Sequence, residues 1–209
     1  MPGDIFSVLD GAGIRRAHVM GVSLGGMVAQ EMAVDYPERV GDLILVSTTP
    51  SWPFAYPMPA VSAALFARTG SLTREVAARS HAENALSART VLARPEVADR
   101  LVALQGTRPA DPGALAAQAA AGAGYTGRLR QTRIRARTLV LHGSADTVVD
   151  PGNGKLLADR IPGAQLVIFP ELGHLLFWED PDGFVDAVTS FLLADRVPRN
   201  VLRAGRRKH

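Results

Sequence analysis

Ser23 stands at the centre of Gly21-Val22-Ser23-Leu24-Gly25, a G-x-S-x-G pattern that follows the short apolar run His18-Val19-Met20 and opens a helix-like segment, Met27 to Tyr36. A serine hydroxyl is a weak nucleophile at neutral pH and needs both a base and an accessible position. A sharp strand-to-helix turn supplies the position. Gly21 and Gly25 are expected to keep side chains out of its crowded flanks, Gly26 to extend that clearance, and the Leu24 N–H to face the place where an oxyanion would form.

The hydroxyl also needs an imidazole to take its proton, and the imidazole needs a carboxylate to hold its tautomer. The chain has five histidines. His209 is terminal, His18 lies inside a strand, His81 falls in a helical region, and His142 sits in a strand run just before Gly143, which suits a buried structural role. His174 stands in Glu171-Leu172-Gly173-His174-Leu175, a loop after a strand, where open parallel sheets place their chemistry. For the carboxylate, Asp146 follows the strand run 138–142 on the same sheet edge. Asp150 precedes Pro151 and suits helix capping, and Glu171 is too near His174 in sequence to orient it. Each of the three has a plainer reading: Ser23 as a helix cap, Asp146 as a turn residue, His174 as a structural loop residue. A phosphate-binding turn is the weaker reading, because G-x-G-x-x-G is not met at position 23 and no P-loop lysine follows.

Around these residues the spacing predicts a helix from Asp4 to Gly13, capped by Asp4. A strand entering the Ser23 turn and the helix ending at Tyr36-Pro37 come next. Val40 to Ser47 is almost continuously apolar, as a parallel strand covered on both faces should be. Residues 138–143 and 165–169 read as further strands, 151–161 and 182–193 as helices. Between the two sheet portions lies an Ala- and Arg-rich stretch, broken at Gly70, Pro95, Gly106 to Pro109, Pro112 and Gly122 to Gly124, which reads as a helical insertion. The chain divides into a first core part with the nucleophile turn (1–50), a lid (51–133), a second core part (134–195) and a basic tail (196–209). Trp52, Phe54, Tyr56 and Phe66 are candidates for the lid's lining, or for packing between lid and sheet.

At 209 residues the chain suits one globular domain. It has no cysteine, so thiolate metal sites, disulfides and a cysteine nucleophile are excluded. The N-terminus lacks the basic region and apolar core of a secretory leader and no run approaches a membrane span, so the expectation is a cytoplasmic protein. The net charge of +3 is concentrated at the end: Arg196, Arg199, Arg203, Arg206, Arg207 and Lys208 carry six positive charges, leaving the remainder near −3. That tail is read as solvated rather than as a surface for nucleic acid or membrane.

With Ser23, Asp146 and His174 in that chain order, the sequence resembles the α/β-hydrolase family, in particular its compact bacterial carboxylesterases, lactonases and cofactor-free haloperoxidase-like members. The matching segments are residues 17–29, 139–146 and 171–174, followed by Phe177-Trp178-Glu179-Asp180-Pro181. The resemblance implies an α/β fold, a partial α/β-hydrolase parallel sheet flanked by helices with a small helical lid. It implies a Ser23, Asp146, His174 triad with the Leu24 amide in the oxyanion hole, and no metal or organic cofactor. In the family, four strands and an H-G-x-G-like oxyanion loop precede the nucleophile strand, whereas this chain opens on the helix before that strand. An exposed edge at residues 17–20 is therefore expected. So is activity weakened by loss of one oxyanion donor, about 10²–10³ in kcat.

The expected function is a serine hydrolase cleaving a small ester or lactone through an acyl-enzyme. The alternative is a non-catalytic remnant that self-associates through its open sheet edge.

Overall fold

The computed structural model describes residues 2–51, 54–107, 111–125 and 127–194. Its centre is a four-stranded, wholly parallel sheet in the order β1 (Ala17–Val22), β2 (Val40–Val46), β3 (Thr138–Gly143), β4 (Gln165–Phe169). The continuous apolar run of β2 has a direct cause. Leu43 and Leu45 face a core built with Phe6, Ala29, Met32, Ala33, Val140, Leu157 and Ile161. Ile44 and Val46 face the opposite core, with Leu139, Leu141, Leu176, Val188 and Phe191. A strand buried on both faces has no solvent side on which to place polar residues. The first face is covered by α1 (Pro2–Gly11), α2 (Leu24–Asp35) and α8 (Gly152–Arg160), the second by α9 (Leu176–Glu179) and α10 (Pro181–Leu193). The α/β fold, with a parallel sheet between helices, is the one the residue pattern called for.

β1 is an edge: among the described residues it pairs with β2 alone, and Met20 on it is 45% exposed. Between β2 and β3 the chain forms the lid helices α3 (Ala60–Arg68), α4 (Arg74–Asn84), α5 (Ala88–Ala93), α6 (Pro95–Thr107) and α7 (Pro112–Ala123). Ala82, Leu86, Ala98 and Leu101 give this insertion its own small core.

Several boundaries differ from the sequence reading by a few residues, and three differences bear on local structure. α1 starts at Pro2, which puts Asp4 in its first turn instead of at its cap. α8 starts at Gly152, and Asp150 still serves it from one residue further back, accepting the Gly152 N–H at 2.8 Å. The lid also breaks between α4 and α5 at residues 85–87, where the sequence holds no glycine or proline. There Ser87 caps α5 by accepting the Thr90 N–H at 3.1 Å, a start signalled by a side-chain hydrogen bond and not by a helix breaker. Among the described residues no helix is long and apolar enough to cross a membrane. The basic tail 196–209 lies outside the described residues.

Candidate active site

The nucleophile turn is built where β1 passes without a loop residue to spare into α2. Ser23 has φ 52° and ψ −120°, a backbone region that costs a non-glycine residue about 1–3 kcal/mol. Neighbouring bonds hold it there. The Ser23 N–H donates to the Val46 carbonyl at 2.9 Å. The Ser23 carbonyl accepts from the Gly26 N–H at 2.9 Å and from the Thr48 hydroxyl at 2.6 Å. The Ser23 side chain makes no capping bond to α2, so the helix-cap reading fails. A Cβ on Gly21 would lie 2.3 Å from the Gly25 carbonyl oxygen, and one on Gly26 would lie 2.6 Å from the Thr48 side chain. Gly25 differs from expectation: a Cβ there would meet nothing within 4 Å, so the turn does not need that glycine for space. Leu24 opens α2, which makes its N–H one of the orphan donors of the first helical turn.

Asp146 follows β3 and is 4% exposed. Its Oδ1 accepts the Val148 and Val149 N–H groups at 2.8 and 2.9 Å, and its Oδ2 lies 2.8 Å from Nδ1 of His174, which is 6% exposed. Burial alone would push this carboxyl up. The hydrogen bonds from His142 and His174 outweigh burial and pull it from the ordinary 3.8 down to about 2. Because the folded protein holds this proton less tightly than the unfolded chain, the resulting stability is complete above about pH 4. It is lost as pH falls from 3.8 through 2. The amount is on the order of 2 kcal/mol. Urea melts of the wild type and of Asp146→Asn are expected to converge across that window, and a constant difference would contradict it.

The residue reading of His142 as purely structural is incomplete. The ring is fully buried, and its Nε2 lies 3.1 Å from both the Val149 carbonyl oxygen and Asp146 Oδ2. His142 thus braces the carboxylate that His174 uses. Its only sequence signal was an i, i+4 spacing to Asp146 across a strand end.

A second feature missed by sequence is Gly143. Strand spacing of about 4.8 Å puts β4 roughly 14 Å from β1, so the loop bearing His174 must fold back across the sheet rim. It does so directly over the end of β3, where the Ala145 N–H donates to the Leu172 carbonyl at 2.8 Å. A Cβ on Gly143 would stand 2.2 Å from the Leu172 carbonyl oxygen and 2.3 Å from that of Gly173. Gly143→Ala is therefore expected to displace the His174 loop, with a cost of about 1–3 kcal/mol or more. The expected readouts are a fall in Tm of roughly 2–12 °C by calorimetry and loss of any hydrolytic activity. Wild-type values would show that the loop has slack.

His18 and His81 stand apart from this cluster. His18 Nδ1 accepts the Asp42 N–H at 2.9 Å, and His81 Nε2 lies 2.8 Å from the Thr69 hydroxyl. His209 and Trp52 fall outside the described residues. The other lid aromatics are each about half exposed, with ring neighbours on the lid itself or on α8 instead of on the sheet. Phe54 lies under the Arg160 guanidinium, the Tyr56 ring lies against Gly152, and the Phe66 ring meets that of His81 in a tilted arrangement, with centroids 5.0 Å apart. Lid and nucleophile turn do meet elsewhere, with Gly122 of α7 set against the Leu24 side chain. Among the described residues no group of three or more His, Asp or Glu side chains is placed to hold a metal ion. Nor does a hydrogen bond join Ser23 to His174 there, as is common for catalytic pairs without substrate.

A parallel sheet with a strained serine after one strand, a buried aspartate after the third and a histidine paired to it after the fourth is the architecture of an α/β hydrolase. The chain belongs to the α/β-hydrolase family, whose model, described as the alpha/beta hydrolase fold, matches residues 4–181. It is 30% identical over 192 residues to the pimeloyl-[acyl-carrier protein] methyl ester esterase of Chromobacterium violaceum, covering 84% of this chain and 70% of that protein. It is 31% identical over 188 residues to the 2-hydroxy-6-oxo-6-phenylhexa-2,4-dienoate hydrolase of Comamonas testosteroni, covering 88% of this chain and 65% of that one. Among solved structures, Est816, described as an N-acyl homoserine lactone degrading enzyme, superposes with a TM-score of 0.75 at 30% identity, covering 91% of this chain and 73% of that one.

Proposed function

We propose that this chain is a serine hydrolase that cleaves a small carboxylic ester or lactone. The observation that carries the reading is the buried 2.8 Å contact between His174 Nδ1 and Asp146 Oδ2 on the rim where Ser23 is held in its strained turn. In this reading His174 Nε2 takes the Ser23 proton as Oγ attacks the carbonyl carbon. The tetrahedral oxyanion is met by the Leu24 N–H. Collapse breaks the bond to the alcohol oxygen, which receives the proton from His174. Water, deprotonated by the same imidazole, then frees the acid and restores Ser23. The Asp146 carboxylate holds the Nδ1–H tautomer and stabilises the imidazolium. A methyl ester, a dienoate and a lactone are named among the relatives. No cofactor enters this sequence of steps, and a cytoplasmic place of action is part of the reading.

The test is covalent labelling with a fluorophosphonate, followed by intact-mass and peptide analysis. One adduct on Ser23 is expected, together with hydrolysis of p-nitrophenyl butyrate. No adduct, or one on another residue, overturns the proposal. A second reading, a non-catalytic chain that pairs through β1, is favoured by the open edge of that strand and the exposure of Met20. Concentration-dependent dimers in sedimentation, together with absence of labelling, would select it.

A further inference from the structure

Glu179 is 3% exposed and closes the four-residue helix α9, five residues after His174. Its carboxylate is surrounded by donors. Oε1 accepts the Gly173 N–H at 2.6 Å and the Ser87 N–H at 3.2 Å. Oε2 accepts the Ser87 hydroxyl at 2.6 Å, the Thr90 hydroxyl at 2.5 Å and, again at 3.2 Å, the Ser87 N–H. The nearby Arg94 guanidinium donates to the Glu179 backbone carbonyl at 2.7 Å instead of to the carboxylate. Burying a carboxylate costs heavily unless every lone pair is used, and here the partners use them. Bonds to a carboxylate are about twice as strong as neutral ones, so the contacts form a stiff joint.

What the joint connects is specific. Gly173 immediately precedes the base of the proposed triad, and a Cβ on it would lie 2.6 Å from the Leu86 carbonyl carbon and the Ser87 nitrogen. On the other side of His174, the Leu175 N–H donates to the Ala85 carbonyl at 2.9 Å. Leu175 and Trp178 pack against the lid's own core around Leu86, Ala98 and Leu101. His174 is therefore bracketed, at the residue before and the residue after, by the junction between α4 and α5. Its ring alone reaches back to Asp146.

We propose that Glu179 is a positioning residue for His174, fixing the imidazole to the lid junction 85–90 so that lid and base move as one body. This rests on the reading of His174 as the base. A side chain this close to the reacting atoms matters out of proportion to its size, since a displacement of about 1 Å can cost roughly 10²-fold in rate.

Glu179→Met preserves shape and removes the acceptors. It is expected to lower kcat for p-nitrophenyl butyrate by roughly 10- to 100-fold with KM within about twofold, and to abolish or shift the far-downfield proton resonance of His174 Nδ1–H. Glu179→Gln keeps an acceptor for Gly173 and is expected to recover most of both. The proton resonance is also recorded in Ser23→Ala, where hydrolysis is absent. It therefore reports on the imidazole even if the chain proves not to be an esterase. An unchanged resonance and kcat in a folded Glu179→Met overturn the proposal. If that variant does not fold, the double variant Ser87→Ala/Thr90→Val decides: it leaves the carboxylate and removes the hydroxyl donors. A several-fold fall in kcat with a shifted resonance supports the joint, and wild-type values for both refute it.

Discussion

Ser23→Ala is expected to reduce hydrolysis of p-nitrophenyl butyrate to within a few-fold of the rate in buffer while leaving the fold intact. In a serine hydrolase with a working triad and oxyanion hole, removal of the nucleophile costs about 10⁶ in kcat, and binding with the oxyanion hole retains 10³–10⁴ over water. The proposed oxyanion donor here is the Leu24 N–H, and an oxyanion site with a single donor is expected to start about 10²–10³ lower in rate. The two effects together put the expected drop at roughly 10³–10⁴. Stability should hold, because the strained backbone at φ 52° is no easier or harder for alanine and the Ser23 hydroxyl caps nothing. Purified wild type and variant compared at equal concentration settle it: indistinguishable rates would mean that the measured activity does not pass through Ser23.

Asp146→Asn is expected to cost about as much, by another route. One carboxylate oxygen accepts two backbone N–H groups, Val148 and Val149, and the other faces both His174 and His142. An asparagine has one acceptor oxygen to serve two sets of donors. If its amide nitrogen faces the imidazoles, His174 must present a bare Nδ1 to it, and the proton moves to Nε2, where the Ser23 proton should be received. If the amide turns over, it sets N–H groups against N–H groups. An aspartate-to-asparagine change in a comparable triad lowers kcat about 10⁴ through the wrong tautomer, and 10³–10⁴ is expected here. Activity within tenfold of wild type at pH 8 would show that His174 does not depend on this carboxylate.

Much of this site was legible in the residues because each part carries a local signature. A serine between glycines after an apolar run announces a strand-to-helix turn, and the structure puts positive φ at that serine. Asp146 and His174 could be paired on paper because both follow short apolar strands, and parallel strands of one sheet end on one rim. The fold class followed from the doubly buried run of β2 and the helices between strands. Legibility failed where the cause was non-local. Gly25 looked indispensable by its motif, yet only Gly21 and Gly26 are crowded, by the Gly25 carbonyl and Thr48. Gly143 looked like a strand end, although the loop from β4 passes over it. The neighbours of the lid aromatics Phe54, Tyr56 and Phe66, among them Arg160, Gly152 and His81, could not be read from the sequence.

The order of elements, the choice of the proposed reacting groups and their placement at strand ends were determined by the sequence alone, because periodicity, turn chemistry and side-chain type act over a few residues. Tertiary structure alone decided how those groups are held. His142 braces Asp146, Gly143 clears the path of the His174 loop, and Glu179 ties that loop to Ser87 and Thr90 across 92 and 89 positions of chain. Such contacts depend on close packing and on the pairing of buried polar atoms, which are properties of the folded neighbourhood and leave no periodic trace along the chain.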